Sequence, residues 1–435
     1  MTANSMDGGL EKDGGHERDG GVRRTAREAA TEIARALIDA GFTAYFAGGC
    51  VRDALLGLEP KDYDIATSAT PDEVKQVFPK ARGVGEAFGV MLVRKASHTI
   101  EVATFREDLE YIDGRRPTGI RFADARADAE RRDFTINGIF REPLTGAIVD
   151  FVEGERDLRA GIVRAIGDPH ARIREDRLRM LRAARFASRL AFTIDPATVD
   201  AIRVHASELA SVSPERVGDE VRRMLAHPNR AHAAQCMESL GLDAAVFGAT
   251  ARPHEWNRLA ALPPKASAAT ALAAWWLDRG DGADVSGGGA RAGAPLRDEL
   301  RARLALSNTD CDQFSAVLDC RALLLGGPER HALPARVRLA ARAGFDAAIE
   351  VLTGEHPAVA ASWRAAAAKE CPSRRLPAPM VDGNHLVRAG LRPSPAFKTI
   401  LDTTLDRQIC GAFSDENAAL ASALALAAEL GAGPT

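Results

Sequence analysis

Two aspartates two residues apart, Asp62 and Asp64 in KDYDIAT (61–67), offer the first recognisable chemistry in this sequence. Alternate residues of an extended strand share a face, so both carboxylates project together while Tyr63 and Ile65 point the other way. Two hard oxygen ligands side by side suit Mg²⁺, and metal held there can activate an attacking hydroxyl and neutralise a leaving pyrophosphate. The pattern is short, and a D-x-D on a solvated edge strand reads the same way. Glu101, in the strand-like TIEVATFR (99–106), either completes that site or is a solvent-facing acid of the alternation.

Just ahead of the aspartates, FAGGCVRDALLG (46–57) sets two glycines between a strand and a helix N-terminus. Glycine lets backbone amides approach a phosphate closely, and a helix start favours negative charge. Arg52, in the first turn, adds a charge-assisted contact. An ordinary strand-to-helix turn is the competing reading, and the nearby carboxylates tip the balance towards phosphate. Arg131-Arg132-Asp133-Phe134-Thr135-Ile136-Asn137 supplies a further arginine pair, for phosphate or ribose on one reading and as a helix-capping surface cluster on the other.

The most informative stretch is HARIREDRLRMLRAARFASRL (170–190). Read as one helix, Leu178, Leu181, Ala184 and Ala187 form its apolar stripe, and Asp176, Arg179, Arg182 and Arg185 fall at successive steps of three as a slanting polar row. An aspartate accepts from an exocyclic amine and an arginine donates to ring acceptors. Such a row would accept cytosine and adenine and reject uracil and guanine, whose carbonyl oxygen would face the carboxylate. A solvated face laced with ion pairs is the rival reading.

These side chains need elements to hold them. TAREAATEIARALIDAG predicts a helix ending at Gly41, followed by a short buried strand TAYFA (43–47). Further strands are expected at 62–67, 90–95, 99–106, 147–152 and 162–166, giving a mixed unit of about 140 residues. After Pro169 the strand signal disappears into helical periodicity, broken at Ser213-Pro214, Pro228 and Pro263-Pro264. Ser213 and Pro214 read as N-cap and first residue of a helix. The glycine-rich 278–295 is the best linker, and 1–22, charged and without periodicity, reads as a disordered leader. The class is therefore α+β: a small mixed sheet followed by helices.

Length and composition fit this picture. A chain of 435 residues has room for about three domains of roughly 150 residues. With 57 basic and 60 acidic residues the formal charge is −3, so a nucleic-acid partner needs a local cationic surface. The six cysteines show no C-x-x-C spacing, which indicates neither zinc nor a disulfide frame. Apolar runs fall short of the roughly 18 to 20 residues of a membrane span, so no membrane partner and a cytoplasmic location are expected. No protein partner is indicated.

In order along the chain, GGCVRDALLG (48–57), KDYDIAT (61–67), RRDFTING (131–138), DFVEGERDL (150–158), EDRLRMLRAARF (175–186) and SPERV (213–217) together resemble the class II tRNA nucleotidyltransferases, the bacterial CCA-adding enzymes and their poly(A) polymerase relatives. VDGNHLVRAGLRPSPAFKTIL (381–401) is a weaker likeness to their C-terminal region. The resemblance implies a catalytic head over 23–160, a base-reading neck over 161–219, a body over 220–280, a linker over 281–295 and a tRNA-binding tail over 296–435. It makes Asp62 and Asp64 the catalytic metal-binding pair. Gly49, Arg52 and Arg132 match nucleotide-contacting positions, and Asp176, Arg179, Arg182 and Arg185 match the row that reads the incoming base. The implied reaction is attack by the 3′ end of tRNA on CTP, twice, then on ATP, without a template and with Mg²⁺. EDLEYIDGRRPTG (107–119) looks like the flexible loop of enzymes that also add A. A poly(A) polymerase, a CC- or A-only enzyme, and a silent RNA-binding protein on the same scaffold are the alternatives.

Overall fold

The computed structural model describes residues 25–84, 89–109, 119–248, 255–280 and 293–431. The expected leader over 1–22, most of the 107–119 loop and most of the 281–295 linker lie outside the described residues.

Helix α1 (Ala26–Asp39) begins with a reciprocal cap in which the Thr25 hydroxyl accepts from the Glu28 amide and the Glu28 carboxylate accepts from the Thr25 amide. Its inner face buries Ala29, Ala30, Ile33, Ala34 and Leu37. Full burial of Ile33 and of Leu37 stabilises by roughly 1.5–3 kcal/mol each. Strand β1 (Ala44–Ala47), helix α2 (Gly49–Leu55), strand β2 (Asp64–Thr67) and helix α3 (Pro71–Val77) follow, then strands β3 (Arg82–Gly83), β4 (Val90–Lys95), β5 (His98–Thr104), β6 (Arg106–Asp108) and β7 (Ile120–Phe122). Helix α4 (Ala125–Glu130) and strands β8 (Ile139–Arg141) and β9 (Ile148–Asp150) complete this part.

Seven strands form one sheet in the order β3-β4-β5-β2-β1-β8-β9. The β2–β5 pair is parallel and the others are antiparallel, a mixed sheet as the sequence pattern implied. Two expectations change. Asp62 precedes β2 instead of lying within it, and the 99–106 strand divides into β5 and β6, the latter pairing with β7 as a separate hairpin. Phe105, fully buried between them, donates its amide to the Thr67 carbonyl at the end of β2.

By internal contacts the chain divides into two units, the first ending at Gly154 and the second holding 155–435 together with Asp133–Thr135. The second unit is mostly helical. It opens with α5 (Gly154–Ala160) and β10 (Ile162–Val163), then α6 (Pro169–Glu175), α7 (Arg179–Leu190), β11 (Thr193–Ile194), α8 (Pro196–His205) and α9 (Pro214–Leu225). Strand signal does persist beyond Pro169, since β11 pairs in parallel with β10. The expected single helix over 170–190 is also corrected. Asp176 takes extended dihedrals (φ −148°, ψ 103°) and separates α6 from α7. Ser213 stands at the N-cap of α9 with Pro214 first in the helix, yet its hydroxyl makes no capping bond.

Further on, the linker begins later than 278: Asp278 ends the helix Ala268–Asp278 and Arg279 caps it, both buried, with Arg279 paired to Asp243. The helix Gly293–Leu304 likewise starts within the expected linker. It lies so close to α9 that a Cβ on Gly218 would sit 2.0 Å from the Leu304 carbonyl oxygen. Two smaller cores follow, one around Trp363, Phe345 and Leu352 and one around Leu386, Ile400 and Ala423. Among the described residues no helix is long and apolar enough to cross a membrane.

Candidate active site

The carboxylates come first. Asp64 opens β2 and stands in register with Glu101 on the parallel β5, so Glu101 is its cross-strand neighbour on the same sheet face. Solvent reaches Asp64. Even so, the surrounding protein, with the negative charges of Glu101 and Asp62, raises its pKa to about 6 against the pull of Arg132. An acid raised first by desolvation and then by like charges gains from a cation. Among the described residues no three His, Cys, Asp or Glu side chains form a ready-made metal cage.

Above the carboxylates runs the glycine turn. Gly48 adopts φ 71° and ψ −129°, a region that side chains avoid, and Gly49 starts α2. Arg52 is buried rather than reaching outward: its Nε and Nη2 donate to Asp53 Oδ1 at 2.8 and 2.6 Å, and its Nη1 donates to Asn137 Oδ1 at 2.7 Å. Asn137, from the third motif, thus ties into the turn. Arg132 binds Asp128 through Nη2 at 2.8 Å, donates Nη1 to the Asn137 carbonyl at 3.2 Å and lies over the Phe140 ring at 5.0 Å. That Nη1 lies 3.3 Å from where a Cβ on Gly48 would be. Arg132 therefore neighbours both the glycine turn and Asp64. Asp128 is what holds it: burial alone would raise this acid, yet Arg132 and Arg131 together keep it below the usual carboxylate range.

In the second unit, the expected polar row is differently built. Asp176 lies in the break between α6 and α7, where Arg216 of α9 grips it with both terminal nitrogens. Arg179 donates to the Arg172 carbonyl at 2.8 Å and to Glu175 at 2.5 Å. Arg182 binds Asp133 at 2.7 Å, and Arg185 binds Glu220 at 2.6 Å. The Asp133 charge raises the Arg182 pKa over the cost of burial, whereas burial lowers that of Arg185 despite Glu220. Arg182 and Arg185 are thus fixed by acids from elsewhere in the chain and Arg179 by the nearby Glu175, which presets their directions without adding much net charge. The apolar stripe is as expected, with Leu178, Leu181, Ala184 and Ala187 all buried.

Sequence reasoning passed over Glu220 and Asp128, and it gave Asn137 and Arg216, both within its quoted motifs, no partner in the site. Arg216 and Glu220 sit one turn apart on α9, a spacing that marks a shared helix face. Their partners lie 40 and 35 residues away, beyond what local pattern can link.

Residues 44–164 match the family model described as Poly A polymerase head domain, and residues 191–251 match that described as Probable RNA and SrmB- binding site of polymerase A. A CCA-adding enzyme of Geobacillus thermodenitrificans is 42% identical over 235 residues, covering 54% of this chain and 58% of that protein. Another, of Lacticaseibacillus paracasei, is 45% identical over 199 residues, 46% of this chain and 50% of the other. The matched stretch thus spans little more than half the length of these curated relatives. Among solved structures, a Bacillus stearothermophilus CCA-adding enzyme in complex with CTP aligns with a TM-score of 0.77 at 28% identity, over 94% of this chain and 99% of that one.

Proposed function

We propose that the chain is a member of the family built on the poly(A) polymerase head domain and that it adds CCA to the 3′ end of tRNA from CTP and ATP without a template, releasing pyrophosphate at each step. Enzymes of this family are nucleotidyltransferases that in general depend on a metal. The observation that carries the reading is the raised Asp64 carboxylate, beside Glu101 and Asp62, next to Arg132 and the Gly48-Gly49 turn.

In this reading Asp62 and Asp64 hold Mg²⁺, which when bound supplies charge neutralisation for the triphosphate and acidity for the attacking hydroxyl. Gly49 offers backbone to the phosphates at closest approach, Arg132 adds a charged contact, and Arg52, buried and bound to Asp53 and Asn137, holds the turn from within. Asp176 accepts from the exocyclic amine of cytosine or adenine with the lone pairs that Arg216 leaves, and Arg179 donates to the neighbouring ring acceptor. Arg182 and Arg185, pinned by Asp133 and Glu220, complete the row. Because these acid–arginine pairs are preformed, uracil would bring a carbonyl against a carboxylate with nothing free to relax.

We assign residues 23–160 to the catalytic head, 161–219 to the neck, 220–280 to the body and 296–435 to the tRNA-binding tail, with the protein acting in the cytoplasm. The test is incorporation of labelled CTP, ATP and UTP into tRNA lacking its terminus, with and without Mg²⁺. Growth by three nucleotides, CCA, is expected; a long A ladder or arrest after two additions would replace this reading.

A further inference from the structure

We infer that the open cleft bounded by α1, α2 and residues 57–63 is a second phosphate-binding site, on the opposite face of the sheet from Asp64. The cleft measures about 1020 Å³ and is walled by Phe46, Tyr63 and Arg141 among others. Its position follows from register. Phe46 pairs with Ile65 and with Arg141, which sets these three on one face, whereas the next residue, Ala47, pairs with Asp64 on the other. Tyr63 shares the Ile65 face and meets Phe46 edge-on, with ring centroids 5.3 Å apart.

Charge gives the ligand class. Arg27, Arg35 and Arg141 line the cleft, and among the described residues none of them makes an ion pair. Two of the acids along the same wall are engaged: Glu28 in the cap of α1, and Glu32 with Lys95 at 3.2 Å. Glu59 remains as a counter-charge at the rim. Elsewhere in the protein the arginines of functional interest are held by carboxylates, as Arg179, Arg182 and Arg185 are. Three guanidiniums without ion pairs around one concavity, set against the Glu28 and Glu59 carboxylates, leave a modest positive excess, and guanidinium forks match phosphate oxygens. Arg27 and Arg35 lie eight residues apart on α1, about 12 Å along the axis, which suits a run of phosphates better than a single one. An aromatic wall beside a cationic one is the pattern that accepts a strand of phosphates and bases, and it also accepts a free polyphosphate.

The experiment titrates the full chain in EDTA, which silences metal-dependent binding at Asp62 and Asp64, with two probes: inorganic tripolyphosphate and a short single-stranded uridine oligonucleotide. Wild type is compared with Arg27→Glu/Arg35→Glu, both exposed on α1, and with Arg141→Gln. At least tenfold weaker binding of one probe in these variants is expected, with an unchanged melting curve and a shallower salt dependence. Loss of the oligonucleotide identifies an RNA strand as the ligand, and loss of tripolyphosphate alone identifies a free polyphosphate. Wild-type-like affinity of the variants for both probes, or no metal-free binding by wild type, overturns the proposal. CTP incorporation by the same variants is a separate readout, and its outcome bears on the reaction and not on the cleft.

Discussion

Asp176, at the break between α6 and α7, accepts from both ends of the Arg216 fork, Nη1 to Oδ1 at 3.1 Å and Nη2 to Oδ2 at 2.8 Å. This bidentate pair joins two segments 40 residues apart and fixes the one carboxylate of the proposed base-reading row.

Removing Arg216 leaves Asp176, whose side chain is only 19% exposed, without its charged partner and with the Leu178 amide still donating to it. Arg216→Ala is expected to lower kcat/KM for CTP and ATP by about 10- to 100-fold, the equivalent of ~1–3 kcal/mol for a lost charged partner. Misincorporation of UTP should rise relative to CTP. Arg216→Lys should recover only part, since an ammonium cannot make the paired contact. Steady-state kinetics with the three nucleotides decide; an unchanged CTP/UTP ratio would remove Asp176 from base selection.

Asp62→Ala and Asp64→Asn should each abolish nucleotide incorporation while tRNA still binds in a gel-shift assay. Retained turnover in either variant would refute the metal assignment.

Gly48→Ala forces a side chain into φ 71° and ψ −129°, against Arg132 Nη1. Strain of about 1–3 kcal/mol is expected, read as a lowered Tm, together with a rise in KM for CTP as the turn shifts. Wild-type behaviour in both would show that the turn does not need glycine.

Gly218→Ala tests the crossing of α9 and the helix Gly293–Leu304. Its new Cβ would overlap the Leu304 carbonyl, so overpacking of about 1–3 kcal/mol is expected. Gly383→Ala is the control, with nothing within 4 Å of its added carbon, and it should leave Tm unchanged.

Glu355 supplies the pH dependence. Burial pushes its pKa up, but the hydrogen bonds and charges of Arg321 and Arg258 outweigh this and hold it at about 2, against an ordinary 4.5. A carboxylate lowered on folding stabilises fully above its unfolded value and loses that contribution as pH falls through its folded value. The window is therefore pH 4.5 down to about 2. Glu355→Gln should cost ~3–5 kcal/mol at pH 7, because Arg321 and Arg258 lose their shared partner, and the gap from wild type should narrow towards pH 3. Thermal melts at both pH values give the comparison; equal differences would contradict the assignment.

Local chemistry was legible in the residues alone. Alternation located β1 and β4, and glycine pairing before a short helix located the turn that Gly48 makes. The spacing of Asp62, Asp64, Arg132 and the 176–185 row singled out the side chains around which the site is proposed, and their order carried the family resemblance. Each of those signals lies within a dozen residues, the range over which backbone periodicity repeats.

What tertiary structure decided is which charges meet. No local pattern could put Glu101 beside Asp64, because that neighbourhood arises from parallel pairing of β2 with β5 across 37 residues of chain. Nor could it show that Asp176 leaves the helix for Arg216, or that Arg182 and Arg185 answer to Asp133 and Glu220. An ideal helix placed those four residues on one face. The folded chain broke it at Asp176, where a bidentate arginine offsets the helical hydrogen bonds given up. Propensity acts over neighbours, whereas ion pairing and strand register act between segments that only folding brings together.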